Sequence, residues 1–310
     1  MAQTQQTRVV GTAQPIRVRR RISRRAITGW LFMLPMLLLF ALVVVGPALA
    51  AVYYSLTDWS GIGPAKFVGL ANFQKLFFED MTFRKAFGNN IIWMVLFLIV
   101  PVTLALFAAA LLAPLQRAGM FFRSAIFIPY ILPTVIVAQM WRNLLSPTQG
   151  VGAVLSNAGI SGFDTAYLGQ SSTALYAIAF VNNWQWWGFL MVLFLAAMQN
   201  IARELYEAAR LDGASAWQEF RYVTIPGITP TLVFMLLMTA IWSFLVFDYI
   251  WILTQGGPAG ASEVLGTMVY KNAFNRFEAG YASALGLTMS CFAGIIIGVF
   301  IFLRKRGWEI

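Results

Sequence analysis

Six stretches of 20 or more mostly apolar residues run through this chain of 310 residues, and they constrain its fold more than any other feature. A helix that rises about 1.5 Å per residue needs about 20 such residues to cross the hydrocarbon core of a bilayer. Too few residues remain between the runs to build a soluble domain. The sequence therefore predicts an all-α polytopic membrane protein with six transmembrane helices, at residues 29–54, 90–112, 124–144, 174–198, 228–253 and 284–303.

Composition supports the membrane assignment. Charged residues make up 11% of the chain, whereas they make up about 25% of a typical soluble domain. The mean hydropathy is +0.71. A cleavable signal sequence would have an apolar core of about 7–15 residues. The first run is longer than that, so we expect it to remain as a helix.

The distribution of basic residues predicts the orientation. Lys and Arg are retained on the cytoplasmic side of a membrane protein. If the N-terminus is cytoplasmic, 15 of the 22 Lys and Arg residues fall on the inner side. We expect an Arg-rich cytoplasmic tail at 1–28, a transmembrane domain at 29–303 with an inner loop at 200–227, and a cytoplasmic tail at 304–310. The net charge of +10 then reflects topology and attraction to anionic lipid, not nucleic-acid binding.

The longest informative polar interval, residues 207–230, lies between the fourth and fifth runs. Glu207 and Arg210 lie one turn apart and favour a helix, and Gly213 is positioned to end it in a left-handed conformation. Ser215 followed by Gln218 has the spacing of a capping box that opens a second helix. The interval therefore predicts two short helices joined by a sharp corner before the chain re-enters the membrane.

Periodicity alone would also fit an amphipathic segment lying at the lipid interface. The residue pattern is more specific, because constrained residue types recur at fixed spacing in Glu207-Ala208-Ala209, Asp212-Gly213-Ala214, Phe220, Ile225-Pro226 and Pro230. This pattern resembles the EAA loop of ABC-transporter permeases of the binding-protein-dependent class, in its carbohydrate (maltose-type) branch. The segment F-V-G-L-A-N-F at 67–73 and the segment W-S-F-L-V-F-D-Y-I-W at 242–251 also resemble that branch.

The resemblance implies that the loop is a pair of cytoplasmic coupling helices that sit in a cleft of a separate ATPase subunit. The residues that match the motif, and to which it assigns this role, are Glu207, Ala208, Ala209, Asp212 and Gly213. It also implies a complex in the bacterial inner membrane with a second permease subunit, an ATPase dimer that holds ATP and Mg²⁺, and an extracytoplasmic solute-binding protein that delivers a sugar or sugar derivative. No catalytic or metal-binding residue is expected in this chain, and the sequence does not identify the sugar.

Two polar and aromatic groups in the fourth and fifth runs are candidates for the substrate pathway. Amides and indoles inside a membrane normally face other helices or a wet cavity, and sugars need polar groups beside flat aromatic surfaces. On a continuous helix the three positions in the fifth run would share one face. The candidates are Asn182, Gln185 and Trp186 in the fourth run and Phe244, Asp248 and Trp251 in the fifth. The alternatives are an aromatic belt at the outer interface and contacts that merely hold helices together.

Missing residue types narrow the function further. The chain has no Gly-Lys dipeptide, so the phosphate-binding loop G-x-x-x-x-G-K-[ST] is absent from it. It has no histidine, and its single cysteine leaves no internal disulfide. An ion-coupled secondary transporter normally carries several membrane-buried ionisable groups, whereas Asp248 is the only acidic residue within a predicted span. That class remains an alternative, as does an ABC permease for a non-sugar solute.

Overall fold

The computed structural model describes residues 24–115, 117–160 and 165–305. Most of the tails predicted at 1–28 and 304–310 lie outside these residues. The described helices extend slightly into both tails, since the first begins at Arg24 and the last ends at Lys305. The chain divides into two units, residues 1–49 and 50–310.

The first unit contains α1 (Arg24–Phe40), a π-helical turn at Ala41–Val45, and the start of α2 (Gly46–Ser55). The second unit continues with the antiparallel strands β1 (Thr57–Asp58) and β2 (Lys66–Phe67). Its helices are α3 (Ala71–Gln74), α4 (Met81–Leu112), α5 (Arg117–Ile131), α6 (Thr134–Leu144), α7 (Val151–Asn157), α8 (Ala174–Gln199), α9 (Arg203–Leu211), α10 (Ala216–Glu219), α11 (Ile225–Phe244), α12 (Asp248–Leu253), α13 (Leu265–Tyr270) and α14 (Ala279–Lys305). Further π-helical turns lie at Lys75–Glu79, Phe220–Thr224 and Lys271–Asn275.

Among the described residues, five helices are long and apolar enough to cross a membrane: 28–55, 81–112, 174–199, 216–244 and 279–305. A sixth crossing requires α5 and α6 to act as one span, although they meet at an angle of 97°. The prediction of a helical, multi-span membrane protein is confirmed. The number six depends on this bent pair.

The bent pair connects the two ends of the helix bundle. At one end Arg123 of α5 donates a hydrogen bond of 2.9 Å to the carbonyl oxygen of Leu112, the last residue of α4. At the other end Arg142 of α6 donates to the carbonyl oxygens of Ile252 and Leu253 at the end of α12. The break between them follows from Pro133, which has no N–H to donate and disfavours a helical conformation at the preceding residue.

The span predicted at 228–253 is not one continuous helix. Helix α11 ends at Phe244, and α12 begins only at Asp248. The carbonyl groups of Ser243 and Phe244, left free by this break, accept hydrogen bonds of 3.1 and 3.4 Å from the Asn90 side chain of α4. Asn90 also accepts from the Leu265 N–H at 2.9 Å. A buried amide therefore supports the break and ties it to α13.

The core of the second unit lies mainly between α4 and α8. Trp93 and Phe97 of α4 pack in one buried cluster with α8 and α12, and Phe194 of α8 anchors a second cluster with α4 and α11. Gly188 allows α8 to approach α5 closely, because a Cβ at this position would overlap the Ile126 carbonyl oxygen. This packing fixes the two helix breaks beside α8.

Candidate functional site

We call residues 203–219 the Glu207 loop. Its corner, at Gly213, has the geometry that the sequence predicts. Gly213 adopts φ +80°, in the left-handed region. Its N–H donates to the Arg210 carbonyl oxygen at 3.1 Å, and the Ala214 N–H donates to the Ala209 oxygen at 2.9 Å. These two bonds form a Schellman motif, which satisfies the last carbonyls of α9. The prediction that Gly213 ends this helix is confirmed.

The capping box that opens the second helix is also confirmed. The Ser215 N–H donates to Gln218 Oε1 at 2.7 Å, and the Gln218 N–H donates to Ser215 Oγ at 3.4 Å. The prediction of a separate short helix is wrong, however. Helix α10 continues through the π-helical turn at 220–224 into α11, so residues 216–244 form one helix. The π-helical turn directly before Pro226 changes the hydrogen-bond pattern where the proline cannot donate.

An ion pair bridges the two sides of the corner. Arg210 binds Glu219 through two hydrogen bonds, Nε to Oε1 at 3.0 Å and Nη2 to Oε2 at 3.2 Å. The hydrogen bond and the charge of Glu219 raise the pKa of Arg210, with a smaller contribution from Glu207. Glu207 therefore supports Arg210 by attraction, while the direct partner of Arg210 is across the corner.

The motif residues are open to a partner, while the neighbouring aromatic residues hold the loop on the bundle. Glu207, Ala208, Asp212 and Gly213 are exposed, and Ala209 is half-buried. Behind them the Phe220 ring stacks on Phe107 of α4, with centroids 5.8 Å apart. The Tyr206 and Thr224 hydroxyls lie 2.9 Å apart and join α9 to the π-helical turn.

A cavity of about 530 Å³ lies where both helix breaks meet α4 and α8. Its size falls within the range of about 300–1,000 Å³ that small-molecule sites occupy. The lining combines aromatic rings with polar groups from six helices and the two breaks: Trp93, Phe97, Tyr130, Leu132, Pro133, Thr134, Asn182, Gln185, Trp186, Thr239, Trp242, Ser243, Leu245, Val246, Phe247, Asp248 and Tyr249. Backbone that is not helical is tolerated at membrane depth where it lines such a cavity.

The Gln185 side-chain amide forms hydrogen bonds to residues at both helix breaks. Its Nε2 donates to the Leu132 carbonyl oxygen at 2.7 Å, and its Oε1 accepts a hydrogen bond from the Tyr249 hydroxyl. Leu132 lies at the break between α5 and α6, and Tyr249 follows the break before α12. The residue therefore shapes the cavity by positioning both of its irregular walls.

Two buried polar atoms in the cavity wall have no hydrogen-bond partner among the described residues. They are the Nε1 of Trp186 and the Oγ1 of Thr239. Trp186 stands edge-on to Trp242, with ring centroids 4.9 Å apart. Both atoms are covered in this structure, so a polyhydroxylated solute would satisfy the indole N–H and the hydroxyl only after neighbouring side chains move aside.

The structure brings together four of the six predicted pathway residues. Asn182, Gln185, Trp186 and Asp248 all line the cavity. The prediction that Phe244, Asp248 and Trp251 share one helical face is wrong, because the helix breaks between the first two. Phe244 is buried against Phe87 and Phe292, and Trp251 packs on Phe247 and Tyr270. Their role in a pathway stays a prediction without support from the cavity.

Several lining residues of the fifth run were not predicted from the sequence, among them Thr239, Trp242 and Tyr249. The first two lie three residues apart on α11, so a polar-aromatic stripe at helical spacing could have revealed them. Tyr249 gave no such signal, since its place depends on the break.

Residues 101–306 match the family described as "Binding-protein-dependent transport system inner membrane component". The probable ABC transporter permease protein YurN of Bacillus subtilis is 37% identical over 85% of this chain and 91% of its own length. The diacetylchitobiose uptake system permease protein NgcF of Streptomyces coelicolor is 32% identical over 93% of this chain and 85% of its own length. The lactose transport system permease protein LacF of Rhizobium radiobacter is 31% identical over 90% and 93%.

A solved structure shares the fold. The crystal structure of a bacterial ABC transporter involved in the import of the acidic polysaccharide alginate superposes with a TM-score of 0.81, over 92% of this chain and 98% of that one, at 24% identity. The sequence matches cover most of both chains, and they agree with the loop and the multi-span fold. The chain is an ABC-transporter permease and belongs to the family of binding-protein-dependent transport system inner membrane components.

Proposed function

We propose that this chain forms half of the translocation pathway of a bacterial sugar importer and couples to a separate ATPase through the Glu207 loop. A second permease subunit supplies the other half, and an ATPase dimer holds the ATP and Mg²⁺. A solute-binding protein delivers the sugar from outside. Both termini and the Glu207 loop then lie in the cytoplasm, as the distribution of Lys and Arg predicts.

One observation carries this proposal: a single helix joins the Glu207 loop to the cavity. The helix of residues 216–244 begins at the capping box, and Thr239, Trp242 and Ser243 near its other end line the cavity. Its 29 residues correspond to a length of about 43 Å. A movement imposed on the loop by the ATPase therefore reaches the cavity through one continuous helix.

The mechanism that follows is alternating access. ATP closes the ATPase dimer, and the exposed residues Glu207 and Asp212 move with it. The ion pair Arg210–Glu219 and the ring contact of Phe220 with Phe107 transmit that movement to the second helix and to α4. The cavity then changes the side from which it is open.

The chemistry of the cavity supports a sugar as the solute. A sugar ring presents hydroxyls around its edge and C–H groups on its faces, which match the free polar atoms and the rings of Trp186 and Trp242. The relatives named for lactose and for diacetylchitobiose transport point to the same class. Because the chain belongs to the ABC permease family, the alternative of an ion-coupled secondary transporter is excluded. The alternative of a non-sugar solute is decided by the experiment described next.

The test uses two variants that remove a polar atom with little change in shape, Trp186→Phe and Thr239→Val. Neither atom has a partner within the described part of the chain, so their loss is expected to leave the stability of the assembled complex unchanged or slightly higher. One lost hydrogen bond of about 0.5–1.5 kcal/mol corresponds to a roughly 2- to 12-fold rise in the apparent KM for sugar uptake. Uptake is measured in proteoliposomes that contain the complete transporter.

Unchanged sugar uptake by both variants would contradict the assignment of the cavity. Uptake of a non-sugar solute by the same complex, with no sugar transported, would replace the proposed solute. Asn143→Ala, on α6 and outside this cavity, serves as the control for unspecific effects of a substitution.

A further inference from the structure

We infer that the cavity selects against acidic solutes, and that Asp248 is the residue that sets this selectivity. The inference rests on the proposed function, because it specifies which sugars the same cavity admits. It divides sugars by charge: neutral and amino sugars are admitted, whereas uronic acids and phosphorylated sugars are disfavoured.

The charge distribution around the cavity leads to this conclusion. Asp248 is the single charged residue among the described residues that line it, and it is exposed there. Asp248 takes part in none of the ion pairs found among the described residues. A carboxylate without a partner in a partly enclosed site repels an anionic solute more strongly than it would in open water.

Two basic residues near the cavity, Arg142 and Lys271, bind partners that do not line it. Arg142 of α6 donates to the carbonyl oxygens of Ile252 and Leu253 at the far end of α12. Lys271 is paired with the buried Glu263. Neither of these cations lines the cavity, and no other Lys or Arg is found among the described residues of its lining, so none of those residues neutralises the field of Asp248.

The remaining lining suits uncharged or cationic rings. Trp186, Trp242 and Tyr130 line the cavity with aromatic rings, which attract C–H groups and cations but offer an anion no counter-charge. The Trp186 indole N–H and the Thr239 hydroxyl are buried and have no partner among the described residues, so a neutral hydroxyl that reaches them would complete their hydrogen bonding. An amino sugar would gain an additional charge-assisted bond to Asp248.

A thiol placed in the cavity reports this field without any sugar. The single native cysteine is first replaced (Cys291→Ser), and Asn182→Cys is introduced in the cavity wall. Methanethiosulfonate reagents with a positive, a negative or no charge are reacted with the complete transporter in nanodiscs. The reaction rate of each reagent with the protein thiol is divided by its rate with free glutathione, because the three reagents differ in intrinsic reactivity. Ser60→Cys, in the exposed turn between β1 and β2, is the control position.

We expect the cationic reagent to react about 10-fold faster than the anionic one at Asn182→Cys, and not at Ser60→Cys. Adding Asp248→Asn should reduce this ratio to within about 2-fold of the control. A ratio that does not depend on Asp248 would overturn the inference. A thiol at this position that reacts with none of the reagents would also overturn it, because the cavity would then be closed to solutes.

A second experiment measures sugars directly on the same nanodisc complex, without the binding protein. Lactose and deacetylated chitobiose are expected to bind at least about 10-fold more tightly than an acidic disaccharide such as cellobiouronic acid. Asp248→Asn should raise the affinity for the acidic sugar and leave that for lactose nearly unchanged. Equal affinities in the wild type would contradict the charge selectivity. Binding of none of the sugars would count against the proposed function, while the thiol rates would still test the field.

Discussion

The Gln185 side chain donates a hydrogen bond of 2.7 Å to the main-chain oxygen of Leu132, at the point where the chain between α5 and α6 leaves the helical conformation. The other end of the same amide accepts from the Tyr249 hydroxyl. One buried residue of α8 thus fixes two broken helices on either side of the cavity. In secondary transporters, solute sites are typically formed by discontinuous helices.

Replacing Gln185 by leucine is expected to destabilise the cavity wall. The Leu132 carbonyl and the Tyr249 hydroxyl would each lose a partner, at a cost of about 1–3 kcal/mol for each buried unsatisfied group. Tyr249→Phe removes one of the two groups, so the effects of the two substitutions should not add. Thermal unfolding of the single and double variants in detergent measures this coupling. Additive effects would contradict the proposed link, and Asn182→Ala is the control on the same helix.

Gly213 should tolerate asparagine and not valine. Nothing lies within 4 Å of a Cβ built at this position, and its φ is +80°. The constraint is therefore the backbone conformation alone, which costs an ordinary L-residue about 1–2 kcal/mol and a β-branched one more. We expect Gly213→Val to lower ATPase co-purification and uptake, while Gly213→Asn retains most of both. Equal loss in the two variants would instead indicate that the partner requires a bare glycine.

Exchanging the charges of Arg210 and Glu219 should restore the binding of the ATPase that is lost when only Glu219 is reversed. The Arg210 and Glu219 side chains are 67% and 14% exposed, so water screens the attraction between the two charges and its contribution to stability is small. Glu219→Arg is expected to weaken ATPase co-purification by about 2- to 5-fold, since it places two cations at the corner. Adding Arg210→Glu should recover most of this loss. A double variant no better than the single one would show that the pair does not act as a bridge.

The stability provided by Asp80 should depend on pH in the acid range. Asp80 caps α4 through the Thr82 and Phe83 N–H groups at 2.8 and 3.2 Å and accepts a bond of 2.6 Å from Tyr281. Partial burial by itself raises the pKa of Asp80, but the hydrogen bonds from Tyr281, Phe83 and Thr82 together outweigh it and lower the pKa. A lowered pKa means that the stabilisation is complete above the unfolded value of about 3.9 and is lost as the pH falls further.

Asp80→Asn tests this dependence, because asparagine keeps the cap geometry and removes the charge. The difference in thermal midpoint between wild type and variant should be constant between pH 5 and 7 and should shrink below about pH 4. Asp58→Asn, at an exposed position, controls for general acid effects. A difference that persists unchanged below pH 3 would be inconsistent with an ionised cap.

The sequence predicted best the features that depend on neighbouring residues. The corner at Gly213 and the capping box of Ser215 and Gln218 are local arrangements, and both were recognised from spacing alone. The long apolar runs were recognised for the same reason, because a membrane helix satisfies its own backbone.

The features that depend on distant residues could not be predicted in this way. The break after Phe244 is supported by Asn90, more than 150 positions earlier in the chain. The fifth run has no proline or glycine near this position, so it gives no local sign of the break. The prediction that Phe244 and Trp251 share a face with Asp248 was wrong for this reason, while their assignment to the pathway stays a prediction. Gln185 was recognised as important, but its bonds to Leu132 and Tyr249 require the folded arrangement.

The central claim is that the Glu207 loop couples this permease to its ATPase, and one matched pair of variants tests it most directly. Glu207 and Glu204 are both exposed on α9, and only Glu207 belongs to the motif. Sugar-stimulated ATP hydrolysis is measured on the purified complex in nanodiscs, for Glu207→Lys and for Glu204→Lys. We predict that Glu207→Lys loses most of the stimulated hydrolysis and most of the bound ATPase, while Glu204→Lys keeps both. Equal activity in the two variants, at equal yield of the permease, would contradict the coupling role of the loop.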